Sequence, residues 1–266
     1  MPSVPAHQER FPSAPSHRVQ VPSEHDLALS ERFPSGILRQ ACGLLTKGLH
    51  IYEAPRSLDH ISALSFLLTF LSLFSKGPIL WVSQSHVHPE IGYLSPEGLI
   101  DIGIDPERLW FVEARRARDV LWSLEQSLAS GAMPCIVGEI ADSGPVNMTA
   151  SRRLSLRAQK MGCAVHIMVL GNSVGTTCAL TRWVVLPVPS TPTKRNWPRW
   201  RMELKKNKSG SIGDYNVSYN PLTHSFVSTP SLQANGTSPR HKKSEQSEVV
   251  AWPLSPKFGM ANGGAA

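Results

Sequence analysis

Five short apolar runs, each bounded by glycine, proline or charge, recur between residues 49 and 170 and alternate with amphipathic stretches. They are Leu49 to Glu53, Ile79 to Ser83, Leu109 to Val112, Cys135 to Ile140 and Ala164 to Leu170. Their brevity and their β-branched and aromatic content predict strands buried on both faces of a parallel sheet. Between them, the apolar stretch Ile61 to Ser75 predicts a helix that Gly77-Pro78 terminates. Arg115 to Ser130 places Ala117, Val120, Leu121, Leu124 and Leu128 on one helical face, with Gly131 as the stop. Thr149 to Met161 does the same with Ala150, Leu154, Ala158 and Met161, and ends at Gly162. Strands alternating with helices give an α/β fold with right-handed crossovers. After about residue 180 the period becomes two: Trp200, Met202 and Leu204 fall on one side, and Arg199, Arg201, Glu203 and Lys205 on the other. With further strands expected at Tyr215 to Tyr219 and His224 to Val227, the sheet is predicted to finish antiparallel.

The chain of 266 residues divides into three parts on composition. Residues 1–28 hold five prolines among serines and histidines with no hydrophobic period, and read as a flexible arm. Residues 229–266 are rich in Ser, Pro, Asn and Gly and read as a disordered tail. Residues 29–228 remain as one domain, and a 41% apolar share is enough to fill its core. The first 30 residues show no secretory leader, and the longest greasy stretch, Ile61 to Phe74, is 14 residues against the roughly 20 that a span requires. No membrane association is expected. Cys42, Cys135, Cys163 and Cys178 are scattered without a C-x-x-C pair, which argues against a zinc ribbon or disulfide framework and suits a reducing cytoplasm.

The net charge of +7 is concentrated in one place. Lys194, Arg195, Arg199, Arg201, Lys205, Lys206 and Lys208 face a single acid, Glu203, so fifteen positions carry +6. Such local basicity asks for a local acidic partner, a protein surface or a nucleic acid. Arginines beside Trp197 and Trp200 suit stacking and phosphate pairing, while an edge strand protected by lysines is the plainer alternative. A second set, Arg152, Arg153, Arg157 and Lys160, lies opposite the apolar face of its helix, either as a solvated face or as a contact for DNA or a partner.

The order of segments resembles the RecA-type ATPase core: Gly48-Leu-His-Ile-Tyr stands at the first core strand, Gly103-Ile-Asp105 leads to the strand at Leu109, and Leu124 to Gly131 precedes the strand at Cys135. More specifically, Thr149-Ala-Ser-Arg-Arg-Leu154, Thr181-Arg-Trp183 and Pro198-Arg-Trp-Arg-Met-Glu-Leu204 resemble the ImuA family of bacterial damage-induced mutagenesis operons, over about residues 37–228. The resemblance implies a RecA-like, mostly parallel sheet flanked by helices and ending in antiparallel strands. It implies a cytoplasmic, nucleoid-associated accessory factor in error-prone translesion synthesis within the SOS response. The implied partners are RecA, an ImuB-like homologue of the Y-family polymerases, an error-prone replicative-type DNA polymerase, and DNA.

A phosphate loop requires G-x-x-x-x-G-K-[ST], with glycines that let backbone N–H groups wrap the phosphates and a lysine that reaches the outer ones. The matching place here reads Ala54-Pro-Arg-Ser-Leu-Asp-His-Ile-Ser62. Ala54 and Asp59 stand at the glycine positions and His60 at the lysine. The position of the water-activating glutamate falls on Ser85, and Glu139 takes the place of the magnesium-site acid. No ATPase activity, catalytic residue or cofactor is therefore expected. His86-Val-His88-Pro-Glu90 offers two imidazoles and an acid but no distant third ligand, so no metal site is expected. Two other functions stay open: an SOS-type cell-division inhibitor acting on the tubulin-like division protein, and a DNA-dependent ATPase with a non-standard phosphate loop.

Overall fold

In chain order the elements are α1 (Ile37–Leu44), β1 (Gly48–Ala54), α2 (Ser57–Phe74), β2 (Ile79–Gln84), α3 (Pro96–Asp101) and a 3-10 turn (Pro106–Arg108). They continue with β3 (Leu109–Ala114), α4 (Ala117–Ser130), β4 (Cys135–Ile140), α5 (Met148–Met161), β5 (Ala164–Leu170) and β6 (Thr181–Pro187). The last described elements are β7 (Arg199–Asn207), β8 (Gly213–Asn220) and β9 (Ser225–Pro230). The computed structural model describes residues 37–87, 89, 92–171, 174–188 and 197–230. The expected arm at 1–28 and all but the first two residues of the expected tail at 229–266 lie outside the described residues. β9 itself runs to Pro230, slightly beyond the predicted domain limit.

Among the described residues nine strands form one sheet in the order β3-β2-β4-β5-β1-β6-β7-β8-β9. It is parallel from β3 to β6 and antiparallel from β6 to β9, as predicted. Because side chains alternate across a strand, each strand feeds two cores. Tyr52, Trp81, Val137, Met168 and Trp183 pack with α2 on one face, whereas Ile51, Val82, Ile136 and Val165 pack with α4 and α5 on the other. The two C-terminal glycine stops are as expected: Gly131 (φ +68°) and Gly162 (φ +65°) are left-handed.

α2 is long and apolar enough to cross a membrane by length and composition, yet ten of its residues are buried in the fold. The hydroxyls that interrupt it, Ser62, Ser65, Thr69 and Ser72, donate to carbonyls three or four residues back, so burial leaves none of them wanting an acceptor. It meets the antiparallel strands through an aromatic cluster. Phe66 packs edge-on to Trp200 with centroids 5.7 Å apart, Phe226 lies 5.8 Å from Phe66, and Trp200 Nε1 donates to Ser65 Oγ.

Three expectations need correction. β3 is not buried on both faces: Trp110, Phe111, Val112 and Glu113 are exposed, because β3 is an outer strand and α4 packs chiefly over β2 and β4. α2 begins at Ser57 rather than Ile61, because the N3 carboxylate of Asp59 accepts from the backbone N–H of the N-cap Arg56 and starts it a turn earlier. The strand β6 was not foreseen. It follows β5 without an intervening helix, and its central residues Trp183, Val184 and Val185 are buried.

Gly48 enters β1 at φ +84°, and a Cβ there would stand 2.4 Å from Leu180 Cδ1. Gly48→Ala is expected to destabilise the domain by about 2 kcal/mol, read as a lowered urea midpoint at unchanged slope.

Candidate functional site

The turn from β1 into α2 carries the residues at the phosphate-loop position. Arg56 is the N-cap, and its backbone N–H donates to Asp59 Oδ2 (3.2 Å). Its guanidinium clasps the same carboxylate through Nε–H to Oδ2 (2.9 Å) and Nη2–H to Oδ1 (2.6 Å). Asp59, only 1% exposed, is thus charge-matched within its own turn. The neighbouring His60, fully buried, donates from Nε2 to Glu139 Oε1 at 3.0 Å, and Trp81 Nε1 donates to Glu139 Oε2 at 2.8 Å. Both carboxylate oxygens of Glu139 are therefore engaged from inside the protein. Burial pushes this carboxyl up, but the hydrogen bond and charge of His60 and the hydrogen bond from Trp81 outweigh it and hold Glu139 below the ordinary glutamate range.

Thus the imidazole at the lysine position and the carboxylate at the magnesium position are bonded to each other. A histidine–carboxylate pair can orient a general base, but His60 Nδ1 meets no hydroxyl or thiol among the described residues. Ser85, at the water-activating position, donates from Oγ to Ala114 O. A neutral hydroxyl is too weak a base to activate a water, whatever it donates to.

The basic residues are less outward than their pattern suggested. Arg201 Nη2 lies 3.3 Å from both Glu203 and Asp214, and Lys205 lies 2.6 Å from Glu203. A register shift opposite Lys205 pairs Lys206 with Arg182. From there Lys206 Nζ donates to Thr177 O, and Lys208 Nζ donates to Cys178 O (3.0 Å). These lysines pin the connection between β5 and β6 to the sheet. Arg199 is half-buried on β7, and Lys194 and Arg195 lie outside the described residues. On α5, Arg153 and Arg157 reach across to Glu125 of α4 at 2.9 and 3.5 Å, while Arg152 is exposed. Of the histidine patch, His88 and Glu90 lie outside the described residues; among those described, no three His, Cys, Asp or Glu side chains are grouped to hold a metal.

Sequence reasoning missed a second polar cluster, in the middle of the sheet. His50 Nε2 faces Lys47 O (3.0 Å), an atom that can only accept, so the proton is on Nε2. His50 Nδ1 then accepts from Thr181 Oγ1 (2.8 Å), which in turn accepts from Trp183 Nε1 (2.7 Å). His166 stacks on His50 at 5.5 Å and shares a 3.3 Å hydrogen bond with Tyr52, leaving its Nε2 without a partner among the described residues. Burial lowers His50 to about 4 and His166 well below its ordinary value. The available signal was a histidine at the same place in two otherwise apolar strands, His50 and His166 being register partners.

A six-stranded parallel core with an antiparallel extension and helices on both faces is a RecA-like α/β fold. The RadB recombinase superposes with a TM-score of 0.51 at 12% identity, covering 74% of this chain and 98% of that one, a likeness of fold. No family model matches the sequence. Protein ImuA of Caulobacter vibrioides, from strains NA1000 / CB15N and ATCC 19089 / CIP 103742 / CB 15, is 28% identical over 153 residues. That alignment covers 52% of this chain, and the chain spans 59% of those relatives' length. The likeness to ImuA is thus one of sequence over about half of this chain. SulA from Pseudomonas aeruginosa superposes with a TM-score of 0.37, covering 46% of this chain, too loosely to carry an argument.

Proposed function

We propose that this protein is a non-catalytic, RecA-like accessory factor of damage-induced mutagenesis. In this reading it acts in the cytoplasm on the nucleoid, supporting error-prone translesion synthesis through contacts with RecA, an ImuB-type polymerase homologue and an error-prone replicative-type polymerase. The observation that carries the non-catalytic part is the buried His60–Glu139 bond, which occupies the two groups that a nucleotide site would direct at phosphate and magnesium. Similarity to ImuA supports the setting.

Calorimetry with Mg-ATP is expected to show no binding tighter than about 1 mM. Low-micromolar affinity, or turnover abolished by Glu139→Gln, would instead favour the DNA-dependent ATPase. A pull-down of the full chain from damaged cells is expected to bring down RecA or the polymerase proteins. Recovery of the tubulin-like division protein alone would favour the division inhibitor.

The face of β7 bearing Arg199, Arg201 and Lys205 is the docking surface in this reading, for DNA or for one of these proteins. Because Arg201 and Lys205 already pair with Glu203 and Asp214, a polyanion must compete with those acids. Changing all three cations to Ser is expected to reduce duplex DNA binding and flatten its log–log salt slope by about 2 to 3. Retention of both DNA binding and damage-induced mutagenesis by a folded triple variant would leave the strand as a protected sheet edge.

A further inference from the structure

At the carboxyl ends of β2, β3 and β4 a cavity of about 190 Å³ opens on the face shared with α2. It is separate from the basic strand, and its chemistry has the opposite sign. Register places Glu113, Ser83 and Glu139 in one row across the three strands, and Phe111 and Trp81 in the row beneath. Leu64, Tyr93 and Leu94 add to the walls. The cavity thus has an apolar and aromatic body with two carboxylates along one side.

Three observations mark it as a site rather than a packing gap. Glu113 is exposed at its rim and has no ion-pair partner among the described residues. Glu139, at its inner end, meets no lysine or arginine among the described residues, where the indole of Trp81 and the imidazole of His60 donate to it. Ser83 is 2% exposed, and although its hydroxyl stands near enough to Glu139 to favour the carboxylate, Oγ has no well-formed hydrogen bond among the described residues. A buried hydroxyl left unpaired beside a cavity is costly, and a donor or acceptor brought in by a ligand removes that cost.

The charge selects a cation, and the rings favour one that is weakly hydrated. A planar amidinium or guanidinium gives up its water more readily than an ammonium, stacks on aromatic rings, and presents several N–H donors in one plane. Its donors can serve Ser83 Oγ and Glu113 together. The volume suits such a group on a short stem, since a cavity of roughly 150 Å³ already admits benzene.

We propose that this cavity binds an amidinium or guanidinium group on a short apolar stem, with the cation beside Ser83, Glu113 and Glu139 and the stem among Trp81, Tyr93 and Phe111. The same chemistry is found in small aryl or alkyl amidines and guanidines and in the arginine side chain of a protein.

The test uses the full chain with three probes in calorimetry: benzamidine, its neutral isostere benzamide, and acetyl-arginine-amide. Benzamidine or the arginine derivative is expected to bind with a dissociation constant of about 0.1–1 mM, and benzamide at least about tenfold more weakly. Tighter binding of benzamidine assigns the site to free small molecules, and tighter binding of the arginine derivative assigns it to a protein side chain. Glu113 is exposed, so Glu113→Gln is expected to fold normally while weakening the cationic probes about fivefold. Ser83→Ala is expected to weaken them as well. The proposal is overturned if no cationic probe binds below about 10 mM, if benzamide matches benzamidine, or if folded Glu113→Gln binds as the parent does.

Discussion

His60→Leu is expected to cost about 2–4 kcal/mol of unfolding free energy. The substitution removes the donor to Glu139 Oε1 and leaves a nearly inaccessible carboxylate with Trp81 as its one well-formed hydrogen bond among the described residues. Glu139→Leu is expected to cost a similar amount, since it strands the His60 and Trp81 donors. The double variant should be less damaged than the sum, because a buried pair replaced by well-packed apolar groups often costs little. Urea unfolding of the four proteins at pH 7 checks this, and a coupling energy near zero would mean that the two side chains do not act as a pair. The pair also has an acid signature. A carboxyl held below its ordinary value contributes stability above the ordinary carboxylate range, and that contribution is lost as pH falls through the lowered folded value. His60→Leu removes the largest influence holding it down, so it should move that loss to higher pH.

Lowering the pH from 7 to 5 is expected to remove about 2 kcal/mol through His50 alone. The unfolded imidazole takes a proton near its ordinary value of 6.5, whereas the folded one resists until about 4. The unfolded state therefore binds more protons across this window, and stability rises with pH through it. Below the folded value the contribution stops changing. His166, lowered by burial and by the charge of His50, acts in the same direction. Urea midpoints measured from pH 7.5 to 4.5 should fall steeply between 6.5 and 4.5. His50→Gln, which cannot titrate, should flatten that slope while keeping an amide able to bond Thr181 or Lys47. An unchanged slope in the variant would locate the acid sensitivity elsewhere.

How much of this was readable depended on whether the signal was local. Cys135–Ile140 and Ala164–Leu170 agree with prediction to the residue, because each is a continuous apolar run closed by polar or turn residues, and central parallel strands need nothing more. The glycine stops of α4 and α5 were equally local. The exposure of β3 was not legible, since Trp110-Phe-Val has the same composition as a central strand and only the sheet order makes it an outer one. β6 was missed for the converse reason: without a helix before it, nothing announced a new parallel strand. At the site, the substitutions Ala54, Asp59 and His60 could be read directly. Their bonds to Arg56 and Glu139 could not, as His60 and Glu139 are 79 residues apart. The basic strand shows the same limit. Its charge and its own acid Glu203 were plain, but Asp214 comes from β8 and the carbonyls that engage Lys206 and Lys208 come from the β5–β6 connection.

The place of β1 in the sheet has a consequence for the order in which the protein is made. Both of its neighbours, β5 and β6, lie far downstream: Gly48 pairs with Ala164, 116 positions later, and His50 with Thr181. At roughly 5–20 residues per second, a ribosome takes about 6–23 s to supply the first of them. Throughout that interval β1 has neither flank, and the apolar helix behind it still lacks the Trp200 and Phe226 that cover it in the finished fold. The nascent chain therefore carries its greasiest segment early and shields it last, so the pairing that completes the centre of the sheet waits on the downstream strands.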